Sequence, residues 1–127
     1  MESINHSGRY LPGQSIFLLG FMGTGKSIWG KKWASLYNMP FLDLDELIEQ
    51  ATGSTVVDIF EKEGEDFFRE KETEILKSRC NVQGHIISCG GGTPCFYENM
   101  AWMNEKGFTV YLSATAPFIL KNVLDEK

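Results

Sequence analysis

The chain has 127 residues and a net charge of −5, and its apolar and charged fractions are 43% and 23%. That length suits one domain with one hydrophobic core, and the fractions are those of an ordinary globular protein. The acidic balance argues against a nucleic-acid partner, which calls for a basic face, and no apolar run is long enough to suggest a membrane span. Residues 1–14 are polar with one basic residue and no apolar stretch, so they are expected to be a flexible leader, not a signal peptide. Residues 15–127 are expected to form the single domain. Cys80, Cys89 and Cys95 are odd in number and lack any Cys-x-x-Cys or zinc spacing. They are expected to be reduced thiols in a cytoplasmic protein, with Cys89 a small apolar filler in a strand. His6 and His85 have no partners in sequence that suggest a metal or a triad.

Ile16-Phe17-Leu18-Leu19 reads as a buried strand. It runs into Gly20-Phe21-Met22-Gly23-Thr24-Gly25-Lys26-Ser27, which fits the phosphate-binding loop G-x-x-x-x-G-K-[ST]. A strand-to-helix turn of this kind aims backbone N–H groups inward, and the following helix adds the positive end of its dipole. Gly23, Thr24 and Gly25 are the candidate phosphate cradle. Lys26 is the candidate mobile cation for the outer phosphates, and Ser27 the candidate Mg²⁺ ligand. The helix that follows carries Trp29, Trp33, Leu36 and Tyr37, a stripe expected to pack on a sheet. Asn38 and Pro40 should stop it.

Phe41-Leu42 begins a short second strand that ends in Asp43-Leu44-Asp45. Ligands of open α/β sheets sit beyond the carboxyl ends of strands. Asp43 is therefore a candidate carboxylate on the Mg²⁺ side, facing Ser27. Asp45 either contacts substrate or caps the next helix. Short helices are expected over residues 46–51 and through Ile59 and Phe60 to about Lys62, the second opening on Thr55-Val56-Val57-Asp58, a capping box in outline. Gly64 should break the chain before a longer helix over 65–79. Phe67, Phe68, Ile75 and Leu76 give that helix an apolar face. Its charges, Glu72 among them, are expected mostly to face solvent. Arg69 follows two phenylalanines and could lie beside a pocket.

His85-Ile86-Ile87-Ser88-Cys89 reads as a third strand running into Gly90-Gly91-Gly92-Thr93-Pro94. Three glycines at a strand end let a ligand lie against bare backbone. Phe96, Met100 and Met103 mark a further helix, with its stripe assigned to the core, closed by Gly107. Phe108-Thr109-Val110-Tyr111-Leu112 is a fourth strand, and Thr115-Ala116-Pro117 a helix start. Strands alternate with helices throughout, so the fold class is α/β, a parallel sheet with helices on both faces.

The four motifs together, the phosphate loop, Asp43-Leu44-Asp45, Gly64-Glu65 leading to Phe68-Arg69, and Gly90-Gly91-Gly92 after a strand, resemble the shikimate kinase family from about residue 15 to 112. The resemblance implies the three-layer P-loop kinase fold. It implies transfer of the γ-phosphoryl of ATP to the 3-hydroxyl of shikimate, on the route to chorismate and the aromatic amino acids, with Mg²⁺ as cofactor. Carried over by motif, Lys26 and the loop hold the phosphates, Ser27 binds Mg²⁺, and Asp43 supports the metal. Asp45 takes the substrate hydroxyls and is the candidate base. Arg69 pairs with the shikimate carboxylate, Gly90, Gly91 and Gly92 contribute backbone contacts, and Phe60 and Phe68 wall the ring. The expected partners are shikimate and ATP, and the expected state is a monomer. Members of the family continue beyond the point where this chain stops, with a lid arginine, a fifth strand and a last helix. Here the arginines are Arg9, Arg69 and Arg79. The chain is thus expected to lack the lid, and its fourth strand to form an exposed edge. Two other readings stay open: a phosphate- or nucleotide-binding module without catalysis, and a kinase of another small hydroxy acid such as gluconate.

Overall fold

The computed structural model describes residues 4–6, 13–20 and 26–112, with side chains over 13–20 and 28–111. In chain order the elements are β1 (Ile4–His6), β2 (Ser15–Gly20), α1 (Lys26–Leu36), β3 (Phe41–Asp43), α2 (Leu44–Thr52), α3 (Val56–Glu63), α4 (Glu65–Arg79), β4 (Ile86–Ser88), α5 (Asn99–Lys106) and β5 (Gly107–Leu112). A single 3₁₀ turn, Thr93–Cys95, lies between β4 and α5. The helix start at residues 115–117 falls outside the described residues.

The strands form one sheet in the order β1-β5-β2-β4-β3. The four from β2 to β5 are parallel, as the alternation of strands and helices requires. The chain leaves β2 toward β3 and β4 on one side and returns to β5 on the other. β2 is thus the switch point, where open α/β sheets place ligands.

Side-chain alternation along the strands divides the interior into two layers. Phe17, Leu19 and Ile87 point to one face, where they meet Leu44, Leu47 and Ile48 of α2, Phe68, Ile75 and Leu76 of α4, and Met103 of α5. Leu18, Ile86 and Val110 point to the other, against Trp29 and Ala34 of α1. Burying each such side chain fully contributes about 1.5–3 kcal/mol. Cys89 belongs to the first layer, its Sγ 3.9 Å from Met103 Sδ.

Three expectations need correction. The leader over residues 1–14 contains a strand: Ile4–His6 pairs antiparallel with β5, Ile4 opposite Leu112 and His6 opposite Val110. The fourth strand of the parallel set is accordingly covered, not an edge. Unpaired N–H and C=O groups on a strand flank are satisfied by whatever extended segment can reach them. Second, the aromatic stripe of α1 packs only in part. Trp29 is fully buried, but Leu36 and Tyr37 are exposed. The helix has 11 residues and β3 and β4 have three each, so about 16 Å of helix lies over about 10 Å of these strands. Third, α2 starts two residues early, at Leu44, because its cap is Asp43. The Asp43 side chain accepts from the N–H groups of Asp45 at 3.0 Å and Glu46 at 3.4 Å, so Asp45 is a first-turn residue and not the cap.

Elsewhere the punctuation is as expected. Gly64 joins α3 to α4 at φ +91°, a backbone conformation that costs a residue with a Cβ heavily. Thr55 Oγ1 accepts from Asp58 N–H at 3.1 Å. The other half of that cap comes from Glu49, whose carboxylate takes the Val56 N–H at 2.9 Å.

Candidate active site

The register of the parallel strands brings the motifs together. Leu18, Ser88 and Asp43 stand side by side across β2, β4 and β3. Two residues further along each strand's path come Gly20, Gly90 and Asp45. The start of the phosphate loop, the start of the glycine triplet and the second acid thus leave the sheet at one edge. Residues 21–25, including Gly23, Thr24 and Gly25, lie outside the described residues. Lys26 and Ser27 open α1 at the same edge.

Asp45 faces the glycine triplet. A Cβ added to Gly90 would lie 3.8 Å from Asp45 Oδ1, 3.7 Å from Glu72 Oε2 and 3.4 Å from Thr93 Oγ1. Arg69 reaches the far end of the same triplet, where a Cβ on Gly92 would meet its Nη2 at 2.6 Å. The glycine loop is therefore the floor between a carboxylate and a guanidinium. Gly91 is exposed between them.

The guanidinium is held on its edges and its faces. Its Nη1 donates to Glu72 Oε1 at 2.9 Å, and its Nε lies 3.3 Å from Glu65 Oε2. Its carbon lies 4.4 Å from the ring centroid of Phe96, 5.2 Å from that of Phe68 and 5.9 Å from that of Phe60. Phe60 and Phe68 also pack on each other, with centroids 4.6 Å apart. A planar cation suits this arrangement because its in-plane N–H groups take oxygens while its faces take rings. Among the described residues no acceptor bonds Nη2, the edge that lies against the glycine loop. That edge can take an external carboxylate.

Two participants escaped the reading of the sequence. The charge pattern places Glu72 on the solvated face of α4, yet it is fully buried. Its carboxylate also accepts from Thr93 Oγ1 at 2.7 Å. The signal was there: Phe68, Glu72, Ile75 and Leu76 follow the i, i+4, i+7, i+8 spacing of one helix face. A lone acid inside an apolar stripe needs a buried donor, and Arg69 stands one turn before it. Spacing places Phe96 in the core stripe of α5. It instead precedes that helix and covers the guanidinium, while Met103 alone of that stripe is fully buried and Met100 is partly exposed.

The comparisons agree with the motifs. The shikimate kinase family model matches residues 22–127. The chain belongs to the shikimate kinase family. It is 47% identical over 98 residues to the shikimate kinase of Bacteroides thetaiotaomicron, covering 77% of this chain and 56% of that one. A solved shikimate kinase from Acinetobacter baumannii, in complex with shikimate, superposes with a TM-score of 0.78 at 38% identity, over 81% of this chain and 57% of that one. A gluconokinase from Sinorhizobium meliloti has a TM-score of 0.50 at 19% identity, covering 77% of this chain and 53% of that one, which is a likeness of fold alone. The chain thus spans little more than half the length of these two shikimate kinases.

Among the described residues no group of three or more His, Cys, Asp or Glu side chains could hold a metal ion. Mg²⁺ arriving with a nucleotide does not require one, since it is commonly bound through one or two carboxylates, waters and the phosphates themselves. Asp43 lies at the edge where such an ion would be needed, with one carboxylate oxygen engaged by the α2 N-terminus.

Proposed function

We propose that this protein phosphorylates the 3-hydroxyl of shikimate with ATP. The observation that carries the reading is the glycine triplet flanked by Asp45 at Gly90 and by Arg69 at Gly92. A ring acid carrying hydroxyls needs a cation for its carboxylate and an acceptor for its hydroxyls, separated by its own width. The solved relative that holds shikimate supports the choice of acid.

In this reading Arg69 binds the carboxylate through the edge facing Gly92, with Phe60 and Phe68 walling the ring. Gly90, Gly91 and Gly92 supply close backbone approach. Asp45 accepts from the ring hydroxyls and takes the proton as the phosphoryl group arrives. Lys26 and the N–H groups of residues 23–25 neutralise the charge that develops on the phosphates, and Ser27 with Asp43 holds Mg²⁺, Asp43 through water. The requirement is positioning and charge neutralisation rather than covalent catalysis. Three cysteines, odd in number and without metal-ligand spacing, suit reduced thiols in a cytoplasmic setting. No described helix is long and apolar enough to cross a membrane. The protein is read as a monomer.

The test is ADP release with Mg²⁺ and ATP, with and without shikimate, from this chain and from a form extended to the length of its relatives. Release that depends on shikimate supports the reading. Release driven by gluconate and not by shikimate overturns it in favour of another hydroxy acid. Nucleotide binding without release from either form reduces the protein to a binding module.

A further inference from the structure

Thr93 has no role in the reading above, yet it is the most constrained residue of the glycine loop. It is fully buried. Its N–H donates to Gly90 O at 3.2 Å, its carbonyl accepts from Asn99 Nδ2 at 2.9 Å, and its hydroxyl donates to Glu72 Oε2 at 2.7 Å. Asn99, also fully buried, donates as well to Thr73 Oγ1 at 3.0 Å, the residue after Glu72 on α4. Thr93 is thereby tied to the glycine turn, to α5 and to α4.

We propose that Thr93 is a positioning residue for the substrate carboxylate, acting through Glu72 on Arg69. The ligand named here rests on the shikimate reading; the geometry does not. Glu72 divides its two oxygens, Oε1 to Arg69 Nη1 and Oε2 to Thr93. Rotation about the terminal bond of a glutamate is soft, so a carboxylate held at one oxygen can swing. Held at both, it fixes the plane in which it receives the guanidinium. A buried carboxylate oxygen deprived of its donor is costly. Losing the hydroxyl therefore turns Glu72 toward its remaining donor, Arg69, and draws Nη2 away from the loop. The same hydroxyl also couples the path of the glycine triplet to the guanidinium, so that floor and anchor hold one spacing.

The experiment compares the 127-residue chain with Thr93→Val, which keeps the shape, and Thr93→Ser, which keeps the hydroxyl. One readout is the side-chain Nε–H signal of Arg69 in nitrogen-proton NMR, assigned by its loss in Arg69→Lys and simple to resolve among three arginines. The others are calorimetric affinities for shikimate and ATP, with thermal melting as the control for folding. In Thr93→Val the Arg69 signal should shift and exchange faster with water, and shikimate should bind about tenfold more weakly, the factor that goes with one charge-assisted hydrogen bond. ATP affinity should stay as in the parent chain, and Thr93→Ser should restore both the Arg69 signal and shikimate binding. A lower melting temperature with an unchanged Arg69 signal and unchanged shikimate affinity would make Thr93 a stabilising residue only and overturn the proposal. Should Thr93→Val not fold, Thr93→Ala is read by the same criteria. If no form binds shikimate, the parent chain included, the substrate reading fails, and the Arg69 signal alone decides whether Thr93 positions it.

Discussion

The Phe96 ring lies closest of three phenylalanines to the Arg69 guanidinium, 4.4 Å from centroid to Cζ. Phe96 comes from the turn before α5 and Arg69 from the first turns of α4, so the contact joins the glycine loop's exit to the helix that carries the cation. A ring on the guanidinium face contributes about 0.5–2 kcal/mol, the more so when water is kept away. Phe96→Leu keeps apolar cover and removes the π-face. It should weaken shikimate binding several-fold, leave ATP binding unchanged and barely move the melting temperature. Equal losses for both ligands would show that Phe96 shapes the whole cleft and not the anchor.

Gly92 offers a steric test that leaves the backbone alone. Its φ of −93° and ψ of −5° are open to any residue, so alanine there is not strained by its conformation. The added methyl would instead sit 2.6 Å from Arg69 Nη2. The long side chain must yield, and the edge assigned to the substrate carboxylate moves with it. Gly92→Ala should therefore fold normally and lose shikimate affinity by about tenfold or more, comparable with losing one ionic hydrogen bond. Shikimate affinity equal to that of the parent chain would mean that the carboxylate is bound elsewhere.

Asp43 carries two duties that conservative substitutions separate. Its side chain caps α2 through the N–H groups of Asp45 and Glu46, a role asparagine performs as well as aspartate. Its negative charge is what the Mg²⁺ reading requires. Asp43→Asn should keep the melting temperature close to that of the parent chain while weakening Mg²⁺-dependent nucleotide binding. Asp43→Ala should lose both, with about 0.5–2 kcal/mol less stability. If Asp43→Asn binds Mg²⁺ and ATP normally, Asp43 is a cap and nothing more.

What could be read from the chain was what local chemistry dictates. The bounds of helix 65–79 are legible because Gly64 before it adopts a backbone that other residues resist. Lys26 and Ser27 could be placed at a helix start because the glycine-rich loop before them needs one. Sequence is silent where the outcome depends on distant partners. Sequence alone makes Glu72 a surface charge because its donors, Arg69 and Thr93, meet it only after α4 packs against the glycine loop. Sequence offers Asp45 as an alternative cap of α2 and the cap falls at Asp43, because either spacing can cap a helix, and the choice rests on where β3 releases the chain. The pairing of Ile4–His6 with β5 had no local signal at all, since three polar-flanked residues become a strand only when a flank is open to receive them.

The thiols differ in a way that pH resolves. Burial pushes Cys80 from 9.0 up to about 12, with Arg79 pulling slightly the other way. Cys89 is also buried, whereas Cys95 is exposed on the 3₁₀ turn after the glycine loop. The thiolate is the reactive form, so iodoacetamide at pH 8 should modify Cys95 in the native chain and spare Cys80 until the chain unfolds. The same shift affects stability. Between pH 9 and 12 the unfolded chain gives up the Cys80 proton and the folded one keeps it, so the folded state binds more protons and stability falls as pH rises. Below pH 9 the contribution is fully present. Cys80→Ser or Cys80→Ala removes this titration. The alkaline side of a melting-temperature profile should then flatten relative to the parent chain, even if the whole profile is lowered by the lost packing. Modification of Cys80 in the folded chain at pH 8, at a rate matching Cys95, would contradict the burial described for it.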